Sequence, residues 1–240
     1  QFSYYTQRYG KISFFAEYRS SRLLSTKGLQ NLNTLPPYAD ITYTSYGINY
    51  LWNNLDNFYF PRKGFLGNFQ VAIGNKTISR NIGLEPQLYD TIDLRSAQIT
   101  LSGRTEYYFK LGKNSVLLTR LRAEALFNDQ LFLNDMFRVG GLNTLRGFDE
   151  FFFYASAYGV GTAEYRIFTG DDSYFLLFFD QGIYRNKLER EQEWPFGLGG
   201  GISLSTGAGI FQFIYSVGQS EQQPFSFNTS KVHFGITNRF

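Results

Sequence analysis

The 240 residues carry 23 basic and 20 acidic side chains, and the basic ones are scattered, so nucleic-acid binding has little support. Cysteine is absent, which removes a disulfide framework and any thiolate metal site. Aromatics make up 19% of the chain, 26 Phe and 18 Tyr, a load that suits the interfacial belts of a lipid-facing barrel better than a soluble sandwich. The longest purely apolar run, residues 175–179, falls far short of the ~20 residues that a spanning helix needs. The chain starts at Gln1 without a basic or apolar leader, the mark of a processed secretory protein or of a piece of a longer one.

In chain order, residues 1–9 alternate weakly and Gly10-Lys11 reads as a tight turn. From there Ile12, Phe14, Ala16 and Tyr18 face one way, with Ser13, Glu17, Arg19 and Ser21 opposite. Residues 25–39 form a polar loop. A strand at 41–53 places Tyr46, Ile48, Tyr50 and Trp52 against Ser45, Asn49 and Asn53, and it ends in an aromatic turn that contains Pro61 and Gly64. Phe65, Gly67, Phe69, Val71 and Ile73 then alternate with Asn68, Gln70 and Gly74, and a second polar loop is expected at 75–92.

The next two strands, 95–111 and its return after Gly112-Lys113, have the cleanest period of two. Ile99, Leu101, Tyr107 and Phe109, then Leu117, Leu121 and Phe127, share one face; Arg104, Glu106, Arg120, Arg122 and Glu124 share the other. A long connection without strand or helix period follows at 129–152, and connections of that length tend to be functional. Beyond it come strands at 153–168 and 173–185, a charged loop at 186–195, strands at 197–205 and 210–218, and a polar loop at 219–230. In the last strand, 231–240, Val232, Phe234, Ile236 and Phe240 share a face that Asn238 interrupts.

Long alternating strands, charged on one face and apolar on the other, joined by short and long links in turn, predict a transmembrane antiparallel β-barrel with a polar lumen. Counting gives about eleven strands, within a range of 10–12. Catalysis has little to stand on: His233, the one histidine, faces the expected lumen with no serine or cysteine arranged beside it, and reads as an ordinary lumen residue. No carboxylate–histidine cluster suggests a metal, although Glu106 and Glu124 are placed to pair with Arg104 and Arg122. No cofactor is expected.

Several stretches resemble one family in order. RVGGLNTLRGFDE, which includes Gly140, Gly141, Leu145, Arg146, Gly147 and Phe148, is similar to the sixth extracellular loop of the BamA/TamA-type outer-membrane assembly factors, with Leu145 where that family usually has Val. GTAEYRIF and LLFFDQGIY resemble the two strands after that loop, LDNFYFPRKG a periplasmic turn, and GLGGGISLSTGAGIFQFIYSVG two of the last strands. The resemblance implies a loop folded into the lumen of a sixteen-stranded family barrel, where Arg146 meets Glu164 and Asp180. Parity sends Glu164 inward. Asp180 shares its face with Tyr174, Leu176 and Phe178, but a mid-strand aspartate facing hydrocarbon would cost up to a few kcal/mol, so inward is expected for it too.

For function, the resemblance implies an integral protein of the bacterial outer membrane that inserts or translocates client barrels by edge-strand pairing at a lateral seam, and is not an enzyme. Its partners would be the lipid bilayer and lipopolysaccharide, client outer-membrane proteins and accessory assembly subunits. A polypeptide secretion channel, a passive pore, or a barrel carrying an upstream enzyme domain are the alternatives. One feature of the strand count conflicts with a mature secreted chain: tracing back from the loop puts Gln1 at the outer rim. Either residues 1–240 are a barrel domain that lacks its first strands and any periplasmic POTRA domains, the reading we favour, or residues 1–24 form one long strand.

Overall fold

A computed structural model describes residues 2–6, 8–22, 35–81 and 83–238. It is all-β apart from two short 3-10 turns. In chain order the strands are β1 (Phe2–Tyr5), β2 (Gly10–Ser21), β3 (Asp40–Asn53), β4 (Gly64–Ser79), β5 (Arg95–Lys110), β6 (Ser115–Phe127), β7 (Phe137–Val139), β8 (Phe153–Ala155), β9 (Ala157–Phe168), β10 (Tyr174–Asn186), β11 (Glu191–Glu193), β12 (Phe196–Thr206), β13 (Gly209–Gln219) and β14 (Lys231–Thr237). Antiparallel pairing runs β1-β2-β3-β4-β5-β6-β9-β10-β12-β13-β14, with β11 beside β10 and β7-β8 as a separate hairpin. Among the described residues no ladder joins β1 to β14.

Strands β4 and β5 have 16 residues each, more than the ~9–11 that span a bilayer on a tilt. Their burial is inverted relative to a soluble sheet. Leu177 is 65% exposed and Val71 53%, while Asp180 on the inner face of β10 is 0% exposed. Apolar side chains left bare in rows and charges buried behind them satisfy a barrel wall, whose outer partner is lipid. The sheet curls enough for distant turns of one rim to meet: in the 54–63 turn, Arg62 donates to the Gly170 carbonyl at 2.7 Å and Phe60 packs on Tyr174 with ring centroids 6.3 Å apart.

Five expectations from the sequence need correction. Gly10 opens β2 rather than turning it; Phe2 pairs with Phe14 and Tyr5 with Lys11, so β1 and β2 pair with each other as two strands and not as one. Strand β4 runs through 75–79, where the fully buried Lys76 ammonium, which reads as a loop charge, reaches Asp135 and the Gln130 carbonyl of the loop after β6. The segment 129–152 is not free of strand, since β7 pairs with β8. Consequently 153–168 is two strands, broken at Ser156, whose N–H and hydroxyl both donate to the Arg185 carbonyl. The charged loop at 186–195 likewise contains β11, paired with the end of β10.

Candidate functional site

The hairpin β7-β8 carries the long loop into the lumen. Gly140, Gly141 and Gly147 have φ of 128°, 88° and 98°, a region that side chains other than glycine rarely enter. The reversal is tied locally: the Gly140 N–H donates to Thr144 Oγ1 at 2.8 Å, and the Leu142 N–H to Glu150 Oε1 at 2.9 Å. Leu145 and Phe148 are buried among Phe153, Tyr158, Val160 and Tyr184, an apolar wedge in a polar interior.

Arg146 points instead at the carboxylates of β9 and β10. Its Nε and Nη2 donate to the two carboxylate oxygens of Asp180 at 2.7 and 2.8 Å, and Nη1 donates to Glu164 Oε2 at 2.6 Å. The guanidinium lies 3.5 Å over the Phe178 ring. Asp180 also accepts from Thr162 Oγ1 at 2.7 Å, and Glu164 from Arg166 Nε at 2.8 Å. A bidentate fork with its remaining oxygens satisfied is the arrangement that makes buried charge tolerable. The apolar company of Asp180 is thereby explained: Phe178 faces inward because it stacks on Arg146, and Tyr174 because it lies 4.7 Å from Arg166.

These contacts form one stack down the lumen. Phe60 of the short-link rim packs on Tyr174, Tyr174 on Arg166, Arg166 bonds Glu164, and Glu164 bonds Arg146. The turn with Pro61 and Gly64 therefore touches the floor of the arginine cluster, not the cluster itself. Beside the stack, Glu106 takes Arg104, Arg120 and the Tyr108 hydroxyl, and Glu124 takes Arg122 and the Tyr158 hydroxyl.

The loop backbone is seated on glycines. Gly197 and Gly218 are directly paired across β12 and β13. A Cβ on Gly197 would collide with the Arg146 carbonyl, and one on Gly218 would come within 2.7 Å of the Gly147 carbonyl. That same Gly147 carbonyl accepts from Gln223 Nε2 at 2.9 Å, and its N–H reaches His233 Nε2 at 3.4 Å. His233 thus has a specific partner in the loop, unlike the ordinary lumen residue expected from sequence. Lys231 bonds Asp149 at 2.7 Å on the same strand.

Residues 5–240 match the family model described as the Omp85 superfamily domain. The chain belongs to the Omp85 superfamily. It is an integral outer-membrane β-barrel protein. Among solved structures, BamA from Haemophilus ducreyi lacking POTRA domains 1-3 has a similar fold, with a TM-score of 0.62 at 13% identity. That match covers 95% of this chain and 51% of the BamA chain, so the Omp85 chain spans about half the length of that structure. A comparison with curated protein sequences found no match.

The structure brings Leu145, Arg146, Gly147, Phe148, Glu164 and Asp180 of this Omp85 chain together, with Gly140 and Gly141 at the neck of the loop. It does not bring Val232, Phe234 and Ile236 to the site; they stand exposed on the outer face of β14, and Phe240 lies outside the described residues. Sequence reading missed Thr162, Arg166, Phe178, Gly197, Gly218 and Gln223. Two left a trace: Phe178, on the face of Asp180, and Gly197, in the glycine run 197–201, whose use depends on a strand register that no local pattern encodes.

Proposed function

We propose that this barrel assembles or translocates outer-membrane proteins, with the Arg146 loop as a structural latch. The buried bonding of Arg146 to Asp180 and Glu164 inside an Omp85-superfamily barrel carries this reading. The latch holds the loop against β9 and β10 and leaves the chemistry to strand pairing; no bond of a client is made or broken. Strand β14 has seven residues and pairs only with β13 among the described strands. Unpaired backbone groups do not persist at hydrocarbon depth, so the free side of β14 requires a strand, and a client strand could supply it by β-augmentation. Lipid, lipopolysaccharide and accessory assembly subunits are the further partners of this reading.

The test is assisted folding. The purified chain in liposomes should accelerate the folding of a client barrel, read as its heat-resistant mobility, and Arg146→Ala should abolish the acceleration. No acceleration by the unaltered chain, or large steady single-channel currents from it, would sink the assembly reading and favour a pore.

A further inference from the structure

The lumen contains a second arrangement that the latch does not use. A cavity of about 340 Å³ lies between β5, β6, β9, β13 and the loop tip, and its wall carries Arg104, Arg120, Arg122, Arg146 and Arg166 against one carboxylate, Glu164. Arg104 and Arg122 are directly opposite each other in the β5-β6 register, on the inner face. Like charges at such a position repel and destabilise a strand pair.

The nearby carboxylates do not use up the donors. Glu106 Oε1 takes Nε and Nη2 of Arg104 and Nε of Arg120, while Glu124 Oε1 takes Nε and Nη2 of Arg122, whose Nη1 goes to the Asn143 carbonyl. A guanidinium has five donor hydrogens in a fixed fork. Among the described residues, both Nη groups of Arg120 and Nη1 of Arg104 are left without a hydrogen-bond acceptor. The Arg104 side chain is 48% exposed and that of Arg120 25%, and both line the cavity.

We propose that this cavity binds a small oxyanion of the phosphate class, held by Arg104, Arg120 and Arg122. Parallel N–H pairs match the oxygens of a phosphate group, and an anion between Arg104 and Arg122 removes their repulsion. The volume stands at the low end of ligand cavities, about 300–1,000 Å³, with room for a phosphate ester of a small polyol as well as for free phosphate. Because Arg122 also holds the loop at Asn143, the bound anion links β5 and β6 to the tip of the loop.

Binding, rather than stability, is the measurement to make, since phosphate stabilises folded proteins generically. Titration calorimetry on the folded, detergent-solubilised chain at constant ionic strength, with inorganic phosphate and with glycerol 3-phosphate, should show saturable one-to-one binding. R104Q and R120Q should each weaken it at least tenfold, and R185Q, on the outer face, should leave it unchanged. E106Q releases donors of both Arg104 and Arg120 and should tighten it, which keeps the proposal exposed if an arginine variant fails to fold. Tighter binding of the ester identifies a phosphate ester as the ligand, and tighter binding of inorganic phosphate identifies the free ion. Absence of saturable binding by either, affinity in R104Q and R120Q unchanged from that of the unaltered chain, or weaker binding by E106Q would overturn it.

Discussion

The loop is held on its two sides by different physics. Toward β9 and β10 it is fixed by charge: Arg146, 4% exposed, is bonded to Asp180 and Glu164 and stacked on Phe178. Toward β12, β13 and β14 it is fixed by shape, with backbone lying on Gly197 and Gly218 and only single hydrogen bonds to Gln223, His233 and Lys231. The first side fails if one partner is removed; the second fails if anything is added. Strands β9 and β10 are thus tied firmly to the loop, while the last strand of the sheet is tied lightly.

The comparison can be broken first at its strong side. Arg146→Ala leaves the buried Asp180 without its cation and Glu164 with Arg166 alone, and truncation of one partner in a buried pair costs about 3–5 kcal/mol. Denaturant unfolding in detergent should register a loss of that size. At the other side, Gly197→Ala forces the Arg146 carbonyl away, an overpacking cost of about 1–3 kcal/mol, and should open the loop to protease while the Arg146 pairs persist. An unchanged digestion pattern would mean that the glycine seat does not position the loop.

Smaller effects sharpen the contrast. Phe178→Leu keeps an apolar side chain but removes the ring beneath the guanidinium, a desolvated cation–π contact of about 2 kcal/mol, and its effect should vanish in an Arg146→Ala background. Lys231→Ala removes an ion pair whose aspartate is largely exposed and should cost less than about 1 kcal/mol. If the Lys231 change cost as much as the Arg146 one, the last strand would be held as firmly as β9 and β10.

Much of the wall was legible because its pattern is local. The alternation of Leu117, Leu121 and Phe127 with Arg120, Arg122 and Glu124 needs only a period of two, and the structure sets these residues on opposite faces of β6. The inward direction of Asp180 was legible from cost alone. The purpose of its neighbours was not, because Phe178 faces the lumen for an arginine 32 positions away in sequence. Lys76 misled for the same reason: a lysine in a polar stretch looks solvated until the loop after β6 brings Asp135 to it.

The sequence by itself determined that this is an amphipathic all-β chain with a long central loop, since hydrophobic period and turn chemistry act over a few residues; that the loop arginine meets Glu164 and Asp180 was implied by the family resemblance. Only the tertiary structure decided what the loop rests on. The pairing of Gly197 with Gly218, the stack from Phe60 up to Arg146, and the facing arginines on β5 and β6 all depend on register and curl. Those are set by the whole sheet at once and leave no mark in any single stretch.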